Sequence, residues 1–220
     1  MLDTGRLERD LAMKISDRDV LLVIDVQNDF CTGGALAVPS GEKVVPAINR
    51  IAQKFTNVVL TQDWHPRDHV SFASNHVGKQ PFQAIELDYG RQVLWPAHCV
   101  QGTAGAEFHR DLDVTRASLV VRKGFRRGID SYSALFENDH RTPTGLLGYL
   151  RERELKTVFV AGLALDFCVR FSAEDARKAG LEVAVIEDAC RGIDLDGSVA
   201  ATHQSFRDLG IAVVSLEAFL

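Results

Sequence analysis

The chain has 220 residues, 46% of them hydrophobic, and its 25 basic and 30 acidic residues give a net charge of −5. This length and composition predict one α/β domain with a substantial core. The acidic balance argues against nucleic acid and anionic membranes as partners, and no apolar stretch reaches the length of a membrane span. Because no secretory signal is visible, the four cysteines are expected to be free thiols in a cytoplasmic protein.

Six apolar runs of strand length alternate along the chain with segments of helical periodicity. The strand-like runs are residues 20–24, 57–61, 118–122, 157–161, 182–187 and 211–214. The helical segments are residues 42–55, 142–154, 168–180 and 196–209. Continuous apolar strands between amphipathic helices predict a doubly wound, six-stranded, mostly parallel sheet with helices on both faces. A closed β/α barrel would need eight such units.

Two stretches fall outside this alternation. Residues 1–17 are predicted to form an N-terminal extension, helical or disordered, in front of a domain that spans 18–220. The segment 66–116 has no strong periodicity, and so long a loop in a compact domain is usually functional or contains short elements of its own.

Cys168 lies between the predicted strand 157–161 and the helix that follows it. Free N–H groups and the helix dipole favour an anion at such a place, so we expect the thiol to lose its proton more readily than usual. The same N–H groups could hold an oxyanion if the sulfur attacked a carbonyl. The alternative is a small buried thiol that only packs behind the sheet.

Two further polar side chains follow predicted strands at the same edge of the sheet, Asp25 after the first and Lys123 after the third. Ligands bind at the carboxyl ends of parallel strands, so an acid, a cation and the Cys168 thiol are expected to meet there. Asp25 could accept the thiol proton and return it to a leaving amine, and Lys123 would stabilise the anionic member of the set. Taken alone, either residue is as readily a loop cap or a surface charge.

A second set of residues has the composition of a metal site. Asp63 and His65 lie two residues apart after the second strand, and His98 comes from the long loop. A carboxylate with imidazoles suits Zn²⁺, Mn²⁺ or Fe²⁺ and leaves open positions for water or substrate. The alternative is that residues 63–66 form a structured turn and that His98 is a packed loop residue.

These residues lie in segments that resemble the nicotinamidase/pyrazinamidase group of the isochorismatase-like cysteine hydrolases. The segments are LLVIDVQNDFCTGGALAVP (21–39), TQDWHPRDHVSFASNH (61–76), LWPAHCVQGTAGAEFH (94–109), VRKG (121–124), DSYSALFEN (130–138) and VAGLALDFCVRFSAEDA (160–176). The resemblance assigns a catalytic triad to Asp25, Lys123 and Cys168. It assigns the metal ligands that distinguish nicotinamidases from metal-free relatives to Asp63, His65 and His98, with His69 as a candidate fourth ligand.

The resemblance implies a Rossmann-like fold and the hydrolysis of nicotinamide, and of pyrazinamide, to the acid and ammonia in NAD salvage. Asp25 would take the proton of Cys168, and the thiolate would attack the amide carbonyl to give a thioester that water hydrolyses. One divalent ion, zinc before manganese or iron, would bind the pyridine nitrogen. Backbone N–H groups of Ala164 and Cys168, next to a cis peptide bond between Leu163 and Ala164, would hold the oxyanion.

The resemblance also implies four side chains as pocket walls: Phe30, Leu36, Trp64 and Tyr132. One departure is Leu165, where many relatives have threonine. The first alternative function is a metal-independent hydrolase of the same family, acting on another small amide or on an isochorismate-type vinyl ether. The second is a non-catalytic metal- or ligand-binding protein. The sequence leaves a homo-oligomer open.

Overall fold

The computed structural model describes residues 13–219, which contain eight strands and four α-helices. The strands are β1 (Asp19–Ile24), β2 (Asn57–Asp63), β3 (Ala84–Leu87), β4 (Gly90–Val93), β5 (Leu119–Lys123), β6 (Thr157–Leu163), β7 (Glu182–Arg191) and β8 (Ala212–Val214). The helices are α1 (Val44–Ala52), α2 (Leu146–Glu152), α3 (Arg170–Lys178) and α4 (Ser198–Leu209). All six predicted strands and all four predicted helices are therefore present, with shifted ends.

The main sheet has six strands in the order β5-β2-β1-β6-β7-β8, and every neighbouring pair is parallel. This is the strand order of a doubly wound sheet, which confirms the predicted fold class. The chain reverses its direction of travel across the sheet between β1 and β6. Ligands of such sheets bind in the crevice at that reversal, beyond the carboxyl ends of the strands.

The continuous apolar run of β1 follows from its burial on both faces. Leu21 and Val23 enter a core that is covered by α1, and Leu22 enters the opposite core. That second core is covered by α2, α3 and α4, whose contacts include Leu146 and Phe206. Helices therefore lie on both faces of the sheet, as predicted.

The long segment before β5 contains a hairpin that was not predicted. Strands β3 and β4 pair antiparallel, with Glu86 opposite Arg91. Both strands are four residues long and mix polar with apolar side chains, so they give little periodic signal. Isolated bridges from His65 to Val100 and from Phe72 to Trp95 hold this segment together.

The described part of the predicted N-terminal extension is not helical. Residues 13–17 contain no helix; the Met13 N–H donates to the Ala218 carbonyl at 2.6 Å, and Ile15 packs against the core. Residues 1–12 lie outside the described residues. Within residues 13–219, none of the helices has the length and hydropathy that crossing a membrane would require.

Candidate active site

Cys168 lies where β6 gives way to α3, as the sequence predicts. The chain passes through a cis peptide bond between Leu163 and Ala164, which the resemblance implied, and through a π-helical turn at Leu165–Val169. The Ala164 carbonyl accepts the N–H groups of Phe167 and Val169, each at 3.1 Å. These contacts fix the turn that carries the thiol, which is 6% exposed.

Lys123 joins the three side chains of the predicted triad. It is fully buried at the end of β5, and its Nζ lies 2.8 Å from Asp25 Oδ2 and 3.5 Å from Cys168 Sγ. The same ammonium donates to the Ser131 carbonyl at 2.9 Å and to Asp63 Oδ1 at 2.6 Å. The structure thus brings together the acid, the cation and the thiol that the strand ends suggested.

The carboxylate of Asp25 is placed to accept a proton from the thiol. Asp25 is fully buried with a left-handed φ of +47°, and Thr61 donates to its Oδ1 at 2.6 Å. Its Oδ2 pairs with the Lys123 ammonium at 2.8 Å. A carboxylate oxygen of Asp25 lies within 4.8 Å of Cys168 Sγ. A buried carboxylate beside a thiol suits proton transfer.

Burial raises the pKa of Cys168 well above its ordinary value; Lys123 opposes the shift, and the Asp25 and Asp63 carboxylates reinforce it. Burial also raises the pKa of Asp25, again against the effect of Lys123. The expectation of a lowered thiol pKa is therefore wrong for this set of protein groups. Desolvation and two carboxylates outweigh one ammonium and a turn, so the resting group is a thiol beside a carboxylate.

Asp63, His65 and His98 converge next to the triad. One donor atom from each lies within 4.8 Å of the others, and all three residues are buried. Asp63 Oδ2 is 3.2 Å from Nε2 of His65 and 3.6 Å from Nε2 of His98. Burial alone would raise the pKa of Asp63, but Lys123 and the two imidazoles hold it well below its ordinary value. The carboxylate is thus ionised and available to a cation.

The orientation of both imidazoles fits a metal site. Nδ1 of His65 donates to the Gly124 carbonyl and Nδ1 of His98 donates to the Pro96 carbonyl, each at 2.8 Å. A carbonyl oxygen only accepts, so Nδ1 of each ring carries a proton, and Nε2 is the ring nitrogen that faces Asp63 and is left to bind a cation. Ligating histidines are normally held in this way. Two imidazoles and a carboxylate match a divalent transition-metal cation such as zinc.

Gly124 makes room for one of these imidazoles. It has a φ of +63°, and a Cβ at this position would collide with Cε1 of His65. A larger residue would therefore strain the backbone and displace the ring whose Nδ1 bonds to the Gly124 carbonyl. The end of β5 thus places Lys123 in the triad, and the following Gly124 positions His65 among the three candidate metal ligands.

His69, the candidate fourth ligand, lies outside this donor set. Its ring centroid is 4.2 Å from that of His65, but Nδ1 faces Ser71 Oγ at 2.7 Å and Nε2 faces the Ile129 carbonyl at 3.1 Å. Burial lowers the pKa of His69 to about 4. Its atoms group instead with His65 and Asp130.

A cavity opens over these groups. Four of the predicted contact residues line it, namely Phe30, Leu36, Tyr132 and Ala164, together with Cys168, Asp63 and His98. The prediction that Trp64 forms a pocket wall is wrong, because Trp64 does not line the cavity. The centroid of its ring lies 3.9 Å from the guanidinium carbon of Arg122 instead.

Trp95 and Phe167 contribute aromatic walls that were not predicted. Their rings meet edge to face at a centroid distance of 4.9 Å, and Trp95 Nε1 donates to the Tyr132 hydroxyl at 3.1 Å. Ile193 and Asp130 complete the lining. Both aromatic residues had a signal in the sequence, because Trp95 shares a segment with a candidate metal ligand and Phe167 precedes the cysteine.

The fold and the site define a doubly wound α/β protein with an enzyme-like centre at the reversal point of its sheet. Comparison with known proteins gives the family: the Isochorismatase domain matches residues 19–218, and the chain belongs to the isochorismatase family. A curated relative, the nicotinamidase of Acinetobacter baylyi, is 53% identical over 206 residues, which cover 94% of this chain and 96% of the relative.

Solved structures of relatives agree with this placement. A nicotinamidase/pyrazinamidase of Acinetobacter baumanii is 55% identical with a TM-score of 0.93, covering 94% of this chain and 100% of that one. PnC1 of L. infantum in complex with nicotinate is 39% identical, with a TM-score of 0.83 and coverage of 94% and 98%. The pyrazinamidase of Pyrococcus horikoshii in complex with zinc is 34% identical, with a TM-score of 0.74 and coverage of 90% and 99%.

Proposed function

We propose that this protein hydrolyses nicotinamide to nicotinate and ammonia, and pyrazinamide in the same way, as a step of NAD salvage in the cytoplasm. The observation that carries the proposal is the contact of Lys123 Nζ with Asp25, Asp63 and Cys168 below one cavity. The name of the A. baylyi relative and the nicotinate in the L. infantum structure support the choice of substrate.

The reaction starts with proton transfer from Cys168 to Asp25. Burial raises both pKa values, so the carboxylate becomes a stronger base while the thiol stays protonated until it is needed. Lys123, in contact with both groups, stabilises whichever of them carries the negative charge. The thiolate then attacks the amide carbonyl carbon, and the backbone N–H groups of Ala164 and Cys168 receive the oxyanion.

The tetrahedral intermediate collapses by breaking the carbon–nitrogen bond. Asp25 returns its proton to the departing amine, which leaves as ammonia, and Cys168 retains the acyl group as a thioester. A water molecule then gives its proton to Asp25 and attacks the thioester carbonyl. The acid leaves, and the proton on Asp25 restores the thiol, so one amide and one water give one acid and one ammonia.

The cavity walls suit a flat aromatic ring. Phe30, Trp95 and Phe167 offer apolar and aromatic surface, and Cys168 opens into the same space. Aromatic side chains favour edge-to-face or offset contacts with a planar ligand. These walls would orient the ring so that its amide group meets the sulfur.

Asp63, His65 and His98 would hold one divalent cation, with zinc as the first choice and manganese or iron as alternatives. The zinc complex of the P. horikoshii relative supports this choice. A cation held there supplies positive charge and open coordination positions beside the substrate cavity. The convergent Nε2 atoms disfavour a metal-independent relative, since such an enzyme has no use for two imidazoles aimed at a carboxylate.

The test is ammonia release from nicotinamide by wild-type protein, by Cys168→Ala and by Cys31→Ala as the matched cysteine control. Cys31 is also buried, and burial together with Glu42 raises its pKa to about 11, but it does not line the cavity. We expect Cys168→Ala to abolish turnover and Cys31→Ala to retain it. Turnover by Cys168→Ala at the wild-type rate would overturn the proposal.

A further inference from the structure

Asp130 is a buried carboxylate in the cavity wall that the proposed reaction does not use. It is 2% exposed and lines the cavity together with Asp63 and His98. One of its oxygens lies within 4.8 Å of ring nitrogens of His65 and His69. It therefore faces the side of the pocket where the metal donors converge.

Neutral groups alone hold this carboxylate. Asp130 Oδ2 accepts from Gln92 Nε2 at 2.7 Å, and Oδ1 accepts from the Ser131 N–H at 2.8 Å. Among the described residues, no lysine or arginine forms an ion pair with it. Glu137, the other buried carboxylate of the same loop, differs because Arg126 contacts its Oε1 at 2.5 Å.

The charges around the cavity therefore do not balance without a cation. Asp25, Asp63 and Asp130 bring three negative charges, and Lys123 brings one positive charge, all in buried positions. Three buried carboxyl groups therefore face a single ammonium group in this cluster. Buried charge without a partner is costly, so a divalent cation would stabilise this excess of carboxyl groups. One such ion between Asp63, His65 and His98 would supply positive charge beside these carboxyl groups.

We propose that Asp130 is an outer-sphere partner of the divalent cation: it does not ligate the ion but supplies the charge that completes neutralisation, and Gln92 holds it in place. Gln92 is suited to this task because it is fully buried and its orientation is fixed. Its Nε2 donates to Asp130 and to the Val93 carbonyl, while its Oε1 accepts from the Tyr89 hydroxyl. The inference rests on the proposed function, which places the cation in this donor set.

The test is the affinity of the full-length protein for Zn²⁺, measured by competition with a chromophoric chelator, together with the melting temperature of the chelator-treated protein. The variant is Asp130→Asn, and the matched control is Asp88→Asn, an exposed aspartate in the turn of the β3–β4 hairpin. We expect Asp130→Asn to weaken Zn²⁺ binding by about 10- to 100-fold, the usual range for groups behind the ligands. Its melting temperature without metal should stay equal or rise, because a repelling charge is gone.

A second variant separates charge from structure. Gln92→Ala removes the hydrogen bond to Asp130 but keeps the charge, so we expect a smaller loss of affinity than in Asp130→Asn. Equal affinity in Asp130→Asn and wild type would overturn the inference, as would equal losses in both variants with equally lowered melting temperatures. Wild-type protein that binds no Zn²⁺ would instead overturn the proposed metal site itself.

Discussion

Replacing Lys123 by methionine removes the one positive charge that contacts two buried carboxylates. The side chain keeps a similar length, so the packing changes little while Asp25 and Asp63 lose their ion pairs of 2.8 and 2.6 Å. At an effective dielectric constant of about 20, each pair attracts by roughly 6 kcal/mol. The cost of burying the lysine offsets much of this attraction.

Breaking a buried ion pair by removing one partner typically costs about 3–5 kcal/mol. For a chain of this size we expect a fall in melting temperature of about 6 to 20 °C, from roughly 2–4 °C for each kcal/mol. Urea unfolding at pH 7 with a chelator present measures the loss directly, and Lys54→Met, at an exposed position, is the control. Turnover should also be lost, because the thiolate loses its stabilising cation.

The pH dependence of this loss has a defined sign. Burial would raise the pKa of Asp63, but Lys123 and the two imidazoles hold it below 3.8 in the folded protein. The Asp63 carboxylate therefore stabilises the fold above pH 3.8, and this stabilisation is lost as the pH falls through the folded pKa. Burial would lower the pKa of Lys123, but the two carboxylates raise it above 10.5 in the folded protein. The stabilisation by Lys123 is therefore complete below pH 10.5, and it is lost as the pH rises through the folded pKa. The stability difference between wild type and variant should therefore be largest from neutral pH up to about 10.5, and it should shrink as the pH falls towards 4, because the carboxylates of the variant protonate. A loss no larger than that of Lys54→Met, or one independent of pH, would refute the ion-pair account.

Three further substitutions test the site. Asp25→Asn should lower kcat by about 10²–10⁴-fold in an ammonia-release assay, because the Cys168 thiol loses its proton acceptor. A kcat equal to that of wild type would contradict this role of Asp25. Gly124→Ala should destabilise the protein by about 1–3 kcal/mol in urea unfolding, because the new Cβ collides with the His65 ring. It should also weaken Zn²⁺ binding in chelator competition. Unchanged binding would show that the Cβ does not displace His65. Trp95→Ala should raise KM for nicotinamide by about two- to tenfold, whereas Trp64→Ala should leave it unchanged; the reverse result would restore Trp64 as a pocket wall.

The fold was accessible from the sequence because its strands are buried on both faces. Such strands are continuous apolar runs, as in β1, and their alternation with helices leaves few topologies. The β3–β4 hairpin was missed because its strands are short and of mixed polarity. Strand β7 continues to Arg191, beyond the apolar run that ends at residue 187, because its pairing with β6 resumes at Cys190 after a shift in register. A strand that continues past such a register shift has no regular pattern of apolar residues, so the sequence does not reveal where it ends.

The misassigned Trp64 has a simple geometric cause. Successive side chains of an extended chain point to opposite sides, so a tryptophan between Asp63 and His65 faces away from the site that both of them enter. The sequence contained this signal. The thiol pKa is different, because its direction depends on how deeply Cys168 is buried and on the carboxylates around it, neither of which the sequence shows.

The most direct test of the central claim is partitioning of the reaction with hydroxylamine. A thioester on Cys168 should react with this added nucleophile, so nicotinohydroxamate should form at the expense of nicotinate while ammonia release does not slow. Wild-type protein that produces nicotinate but no hydroxamate at any hydroxylamine concentration would contradict a covalent intermediate on this cysteine.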